Sequence, residues 1–152
     1  MKLTPIASIV LICLVVMISV PAFAQDHTRG WDNGPVMVVS EVHTKPGMFN
    51  AYVNDLNNVW RKFQEAQKAD GYVLDYALYA NPSAREGEPD LFLTVTYANW
   101  AAFDVSTEYF EKQSEELMGS LEDMRDANID RGELRTLGGS MTLQQITFKD
   151  SE

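Results

Sequence analysis

Cysteine is almost missing from this chain of 152 residues: the only one, Cys13, lies in an uncharged N-terminal stretch. Whatever folds downstream of it does so without disulfides or thiol chemistry. Histidine is nearly as scarce, with only His27 and His43, so few imidazoles are at hand for a metal or a haem. Basic residues are short as well, 12 Lys and Arg against 22 Asp and Glu, for a formal charge of −10. With no basic cluster to offset that excess, nucleic acid is a poor partner. The chain also lacks a nucleophile elbow, a phosphate loop, a dinucleotide fingerprint, an internal repeat and a low-complexity segment.

What is present begins with Lys2, followed by an uncharged run with an apolar centre over residues 6–20, then Pro21 and Ala22-Phe23-Ala24. A charged start, a short apolar centre and small residues at −3 and −1 read as a secretory signal over residues 1–24, cleaved after Ala24. The competing reading is an uncleaved membrane anchor, since a spanning helix needs ~20 apolar residues. Pro21 and the Ala-x-Ala site favour cleavage. The expectation is a periplasmic protein with no stable membrane insertion, whose charge becomes −11 once Lys2 is lost. Residues 25–35, with Gly30, Asn33, Gly34 and Pro35, form a flexible lead-in in which Trp31 caps the edge of the core. Residues 36–150 form a single domain.

Residues 36–44 are β-branched-rich and apolar on both alternating sets, as in a central strand covered on both faces. Pro46 stops that strand and opens a helix whose apolar positions, Phe49, Tyr52, Val53, Leu56, Val59, Trp60 and Phe63, fall at steps of three and four. Asp70-Gly71 ends it. Residues 72–80 alternate as a strand with Tyr72, Leu74, Tyr76 and Leu78 on one face, and a Pro- and Gly-punctuated loop leads to a third strand over 91–97. Asn99 caps a second helical region starting at Trp100, with a break near Gly119-Ser120 or around residues 104–106. Gly138-Gly139 ends that region, and residues 141–148 alternate as a last strand.

Strand, helix, strand, strand, helix, strand is the order of an α+β, ferredoxin-like βαββαβ sandwich, a four-stranded antiparallel sheet carrying both helices on one face. Here the strands are apolar on both sides, so the second face needs a cover, and another copy of the same sheet is the simplest one. The strand into Lys45-Pro46-Gly47, the helix reaching Trp60, the Asp70-Gly71 step into a tyrosine-rich strand and Tyr97-Ala98-Asn99-Trp100 together resemble the dimeric α/β-barrel superfamily. Within it the similarity is to small secreted domains of the NIPSNAP-like and antibiotic-biosynthesis-monooxygenase-like kind. That resemblance implies a homodimer and leaves the activity open, because the superfamily holds haem-degrading and cofactor-independent oxygenases, isomerases and members without a known reaction. Its haem-handling members carry a histidine in or after the second helix. Residues 100–137 contain none here, which argues against haem and for no tightly held cofactor.

Candidate site residues lie on strands. Glu41 and His43 share one face of the first strand; Asp75 shares a face with Val73, Ala77 and Tyr79; Thr94 and Thr96 share one with Phe92. In the right register these form a polar strip in an apolar cleft, with His43 as base beside Glu41 or Asp75, and Tyr79, Thr94, Thr96 and Trp100 lining it. In the wrong register the same charges simply face solvent. The set has no metal-ligand spacing. Arg131 and Arg135 are four apart and, on a helix, would project together toward a carboxylate or phosphate, although Glu122, Asp123, Asp126, Asp130 and Glu133 offer them a solvated ion-pair face instead. The remaining tyrosines read as core and interface. Function narrows to a homodimer binding a small, largely apolar molecule. The alternatives are a cofactor-independent monooxygenase or isomerase, or an envelope association module without ligand.

Overall fold

The computed structural model describes residues 29–150; the leader, its cleavage point and His27 lie outside them. Four strands, β1 (Trp31–Thr44), β2 (Val73–Ala80), β3 (Leu91–Tyr97) and β4 (Arg135–Phe148), alternate with helices α1 (Phe49–Asn58), α2 (Trp60–Ala69), α3 (Thr107–Met118) and α4 (Leu121–Asp130). Short 3-10 turns span Trp100–Phe103 and Arg131–Glu133. The strands form one antiparallel sheet in the order β2-β3-β1-β4. That is the ferredoxin-like sandwich expected from the order of elements. No helix among the described residues is long and apolar enough to cross a membrane.

The helical face of the sheet holds the core. Val42, Leu91 and Leu93 from the strands are buried with Tyr52 and Leu56 from α1, and Phe49, Val53, Trp60 and Leu134 pack around them. Those helix positions are the apolar stripe read from the sequence. The stripe is not carried by one continuous helix, however. Val59 departs from helical geometry (φ −118°, ψ −70°), dividing the element into α1 and α2 and setting the Trp60 ring edge-on to Tyr76 at 5.3 Å.

Three further expectations are corrected. β1 starts at Trp31, not at residue 36, so Trp31 to Asn33 pair with the end of β4, Trp31 opposite Phe148, and Gly34 and Pro35 fall in a bulge. β4 starts at Arg135, which places Gly138-Gly139 inside the strand and not at a helix end. In β2 the register slips between Val73 and Asp75, so Val73 is buried on the helical face while Asp75 pairs with Thr96 on the other. The alternation of Tyr72 and Leu74 with Tyr76 is broken there, because a bulge adds one residue that a period of two cannot count. The helical break near residue 120 and the one over 104–106 both occur, and Asn99 caps as expected, with Ser106 and Ser120 as two further caps. Asn99 accepts from the Ala101 N–H at 2.9 Å, Ser106 from Tyr109 at 3.2 Å and Ser120 from Asp123 at 3.0 Å.

Candidate functional site on the helix-free face of the sheet

Register decides which side chains share the bare face. Asp75, Thr96, Met37 and Leu143 form one row across the four strands, and Ala77, Thr94, Val39 and Met141 the next. Tyr79, Phe92 and Glu41 form a third row that ends at Gly138-Gly139 of β4, and His43 stands beyond it opposite Thr136. Glu41, His43, Asp75, Thr94 and Thr96 therefore share this face but stand in separate rows, in an apolar field of Met37, Val39, Ala77, Phe92, Met141 and Leu143.

Glu41 and His43 both lie beside a bulge, without a hydrogen bond or ion pair between them. Between Ser40 and Val42 on β1 the partner runs from Ser140 to Leu137, so β4 spends one residue more than β1, and Glu41 faces both glycines. The Gly139 N–H donates to Glu41 Oε2 at 3.2 Å. A Cβ on Gly138 would stand 2.9 Å from Glu41 Cβ and 3.1 Å from His43 Nε2. The absent side chain leaves room in this corner for the base of the Glu41 side chain and the edge of the His43 ring on either side of Gly138. The two glycines are the site residues that the sequence reading missed, having been read as a helix stop. A Gly pair followed by an alternating run was the available signal, since strand glycines mark bulges and close approaches.

Asp75 is not part of that corner. Its row contains Met37, six residues from His43 along β1, which separates the two by about 20 Å. It instead accepts from Lys68 Nζ at 3.2 Å, and that hydrogen bond holds its carboxyl below the usual carboxylate range. Thr94 is buried and spends its hydroxyl on the Ala77 carbonyl at 3.2 Å, while Thr96 is half-buried and Tyr79 is 58% exposed. Trp100 donates from Nε1 to Gln144 Oε1 at 2.5 Å, and Gln144 in turn donates to the carbonyls of Gly34 and Pro35. Its polar atom is committed to bracing the second bulge of the β1-β4 pair. Tyr72, Tyr97 and Tyr109 line a cavity of about 220 Å³ on the helical side with Phe103.

The arginines do not form the predicted helical pair. Arg131 lies in the 3-10 turn, 8% exposed, with Nε donating to Asp55 Oδ2 at 2.5 Å and Nη1 to Asn128 Oδ1 at 2.8 Å. Arg135 is the first residue of β4, with its guanidinium 5.8 Å from the centre of the Tyr52 ring. Only Arg125 has the exposed ion pairs expected of that region, with Glu122 and Asp126. No group of three His, Cys, Asp or Glu residues converges on a metal-sized space among the described residues.

No protein-family model matches the sequence, and no curated protein matches it. Among solved structures, a protein from Shewanella oneidensis aligns at 16% identity and a TM-score of 0.47, covering 76% of this chain and 97% of that one. A dimeric ferredoxin-like protein from an uncultured marine organism aligns at 7% identity and a TM-score of 0.47, covering 80% and 93%. A candidate antibiotic biosynthesis monooxygenase from Chloroflexus aurantiacus aligns at 16% identity and a TM-score of 0.41, covering 78% and 95%. These likenesses concern the fold alone.

Proposed function

We propose that this is an exported, periplasmic homodimer in which two copies close their helix-free sheet faces on each other and hold a small, largely apolar molecule in the cleft. The observation that carries this reading is the uncovered field of Met37, Val39, Ala77, Phe92, Met141 and Leu143, with Met141 and Leu143 each 44% exposed in the single chain. A second copy is the occupant that fits. The centre of the face carries no charge, and its acids, Asp75 and Glu41, sit in different rows toward its ends. The flat part covers roughly 400 Å² in projection, against the about 800 Å² per partner of a stable interface. Side-chain relief adds to that figure, and so does the β1-β4 ribbon that runs on past β3 with Ile146 48% and Phe148 80% exposed. Export rests on the charged start, apolar centre and Ala-x-Ala site of residues 1–24.

Native mass spectrometry of the purified protein at micromolar concentration is expected to give a dimer that retains a small added mass, and Val39→Lys is expected to give a monomer. A wild-type monomer would overturn the reading, while a dimer without added mass would reduce it to an association module.

The placement of Glu41 and His43 beside the same glycine favours a second reading, that of a cofactor-independent monooxygenase or isomerase. Here His43 would take a proton from an activated carbon acid and Glu41, held by the Gly139 N–H, would orient or balance it. His43→Ala would then lower turnover of the co-purified molecule at least a hundredfold while leaving the dimer mass unchanged. Equal turnover would remove the enzyme reading and leave the binding one standing.

A further inference from the structure

We infer a second small-molecule site on the helical side of the sheet, where an aromatic-walled cavity of about 220 Å³ takes a quaternary ammonium group. Tyr72, Tyr97, Phe103, Tyr109 and Phe110 supply five rings to its wall, and no basic residue among the described ones lines it. No two of these neighbouring rings are stacked: Tyr72 is tilted 56° to Tyr109 at 4.7 Å, Tyr97 51° to Phe103 at 4.9 Å, and Tyr109 75° to Phe110 at 5.5 Å. Phe103 and Phe110 stay 45% and 44% exposed, so the wall is open to a solute. The volume lies below the roughly 300–1,000 Å³ of drug-sized pockets, which restricts the occupant to a small head group.

The charge around the cavity selects a cation. Tyr109 donates to Asp70 Oδ2 at 2.7 Å, so a carboxylate polarises one of the wall rings and makes it a richer partner for positive charge. Asp70 also caps the C-terminus of α2, the negative end of that helix dipole, and Gln67 of the last turn lines the cavity. The bases nearby in sequence are engaged elsewhere: Lys68 pairs with Asp75 at 3.2 Å, and Lys112, in the adjoining cavity that shares Tyr109, pairs with Glu116 at 3.7 Å. The N-terminus of α3 carries the opposite sign, but Ser106 caps it and Glu108 stands in its first turn. A wall made mostly of rings favours a methylated ammonium over a primary one, because it has no N–H group to leave unpaired on leaving water.

The test is calorimetric titration of the purified protein with choline and with its neutral isostere dimethylbutanol, in which carbon replaces the nitrogen. Choline is expected to bind about tenfold more tightly than the alcohol, or better. Tetramethylammonium is expected to compete with it, and sodium at equal ionic strength to leave it bound. Phe103→Leu, at an exposed wall position, is expected to weaken choline about threefold or more while the alcohol and the thermal midpoint stay little changed. No choline binding at millimolar concentration, equal binding of the alcohol, displacement by sodium, or unchanged choline affinity in Phe103→Leu would each overturn the proposal. Co-sedimentation with phosphatidylcholine vesicles and not with phosphatidylglycerol ones would identify a lipid head group as the source, and choline binding without co-sedimentation a free solute. A monomeric protein that still bound choline would support the site while overturning the dimer reading.

Discussion

Gly138 and Gly139 are neighbours in β4 with different tolerances. An added Cβ on Gly138 would meet the Cβ of Glu41 at 2.9 Å, an atom fixed to the backbone, whereas one on Gly139 would meet only the mobile Glu41 carboxylate at 3.3 Å. Gly138→Ala should therefore cost about 1–3 kcal/mol by overpacking, and Gly139→Ala clearly less, as read by urea denaturation. Equal costs would mean that the corner is not close-packed. Tyr109 offers a pH-dependent counterpart. Burial, and then donation to Asp70 Oδ2 at 2.7 Å, push its hydroxyl well above the ordinary tyrosine value of 10.0. A group raised in the folded state contributes stability in full below its unfolded value and loses it as the pH climbs through the folded one. Stability should therefore fall from about pH 10 upward, with tyrosinate absorbance lagging behind that of unfolded protein. Tyr109→Phe should flatten this alkaline limb, and an unchanged limb would assign it to other groups.

Among the elements, α4 depends most on its cap. It buries no residue, yet Ser120 accepts from the Asp123 N–H at 3.0 Å and donates to the Asp123 carboxylate at 2.6 Å. Ser120→Ala should cost about 1 kcal/mol, seen as faster amide exchange confined to residues 121–130. Exchange unchanged there would mean that the Arg131–Asp55 pair alone anchors the helix. The element level is also where reading by periodicity succeeded and failed. β3 was legible to the residue, because it is flanked by turn residues and free of bulges. β4 was read six residues short, since Arg135 to Ser140 contain two glycines and a bulge and show no alternation. The supposed pairing of Arg131 with Arg135 failed for the same reason: the chain changes from a 3-10 turn to a strand between them.

For the whole molecule, the apolar face is the dominant feature, and the dimerisation proposed through it would make stability depend on concentration. The thermal midpoint should rise with protein concentration in the wild type and be independent of it in Val39→Lys. A midpoint independent of concentration in both proteins would separate the face from any self-association.

The order of elements, the two-sided greasiness of the strands, the apolar stripe of the first helical segment and the scarcity of cysteine and base were determined by the sequence alone, because each follows from local residue type and spacing. The tertiary structure decided which polar residues become neighbours. Glu41 and His43 lie beside Gly138 and Asp75 does not, Val73 turns inward, and Gln64 and Arg131 come to line one cavity. Those outcomes turn on bulges and on contacts between distant segments. A single inserted residue sends the next side chains to the other face of a sheet, and no local period records it.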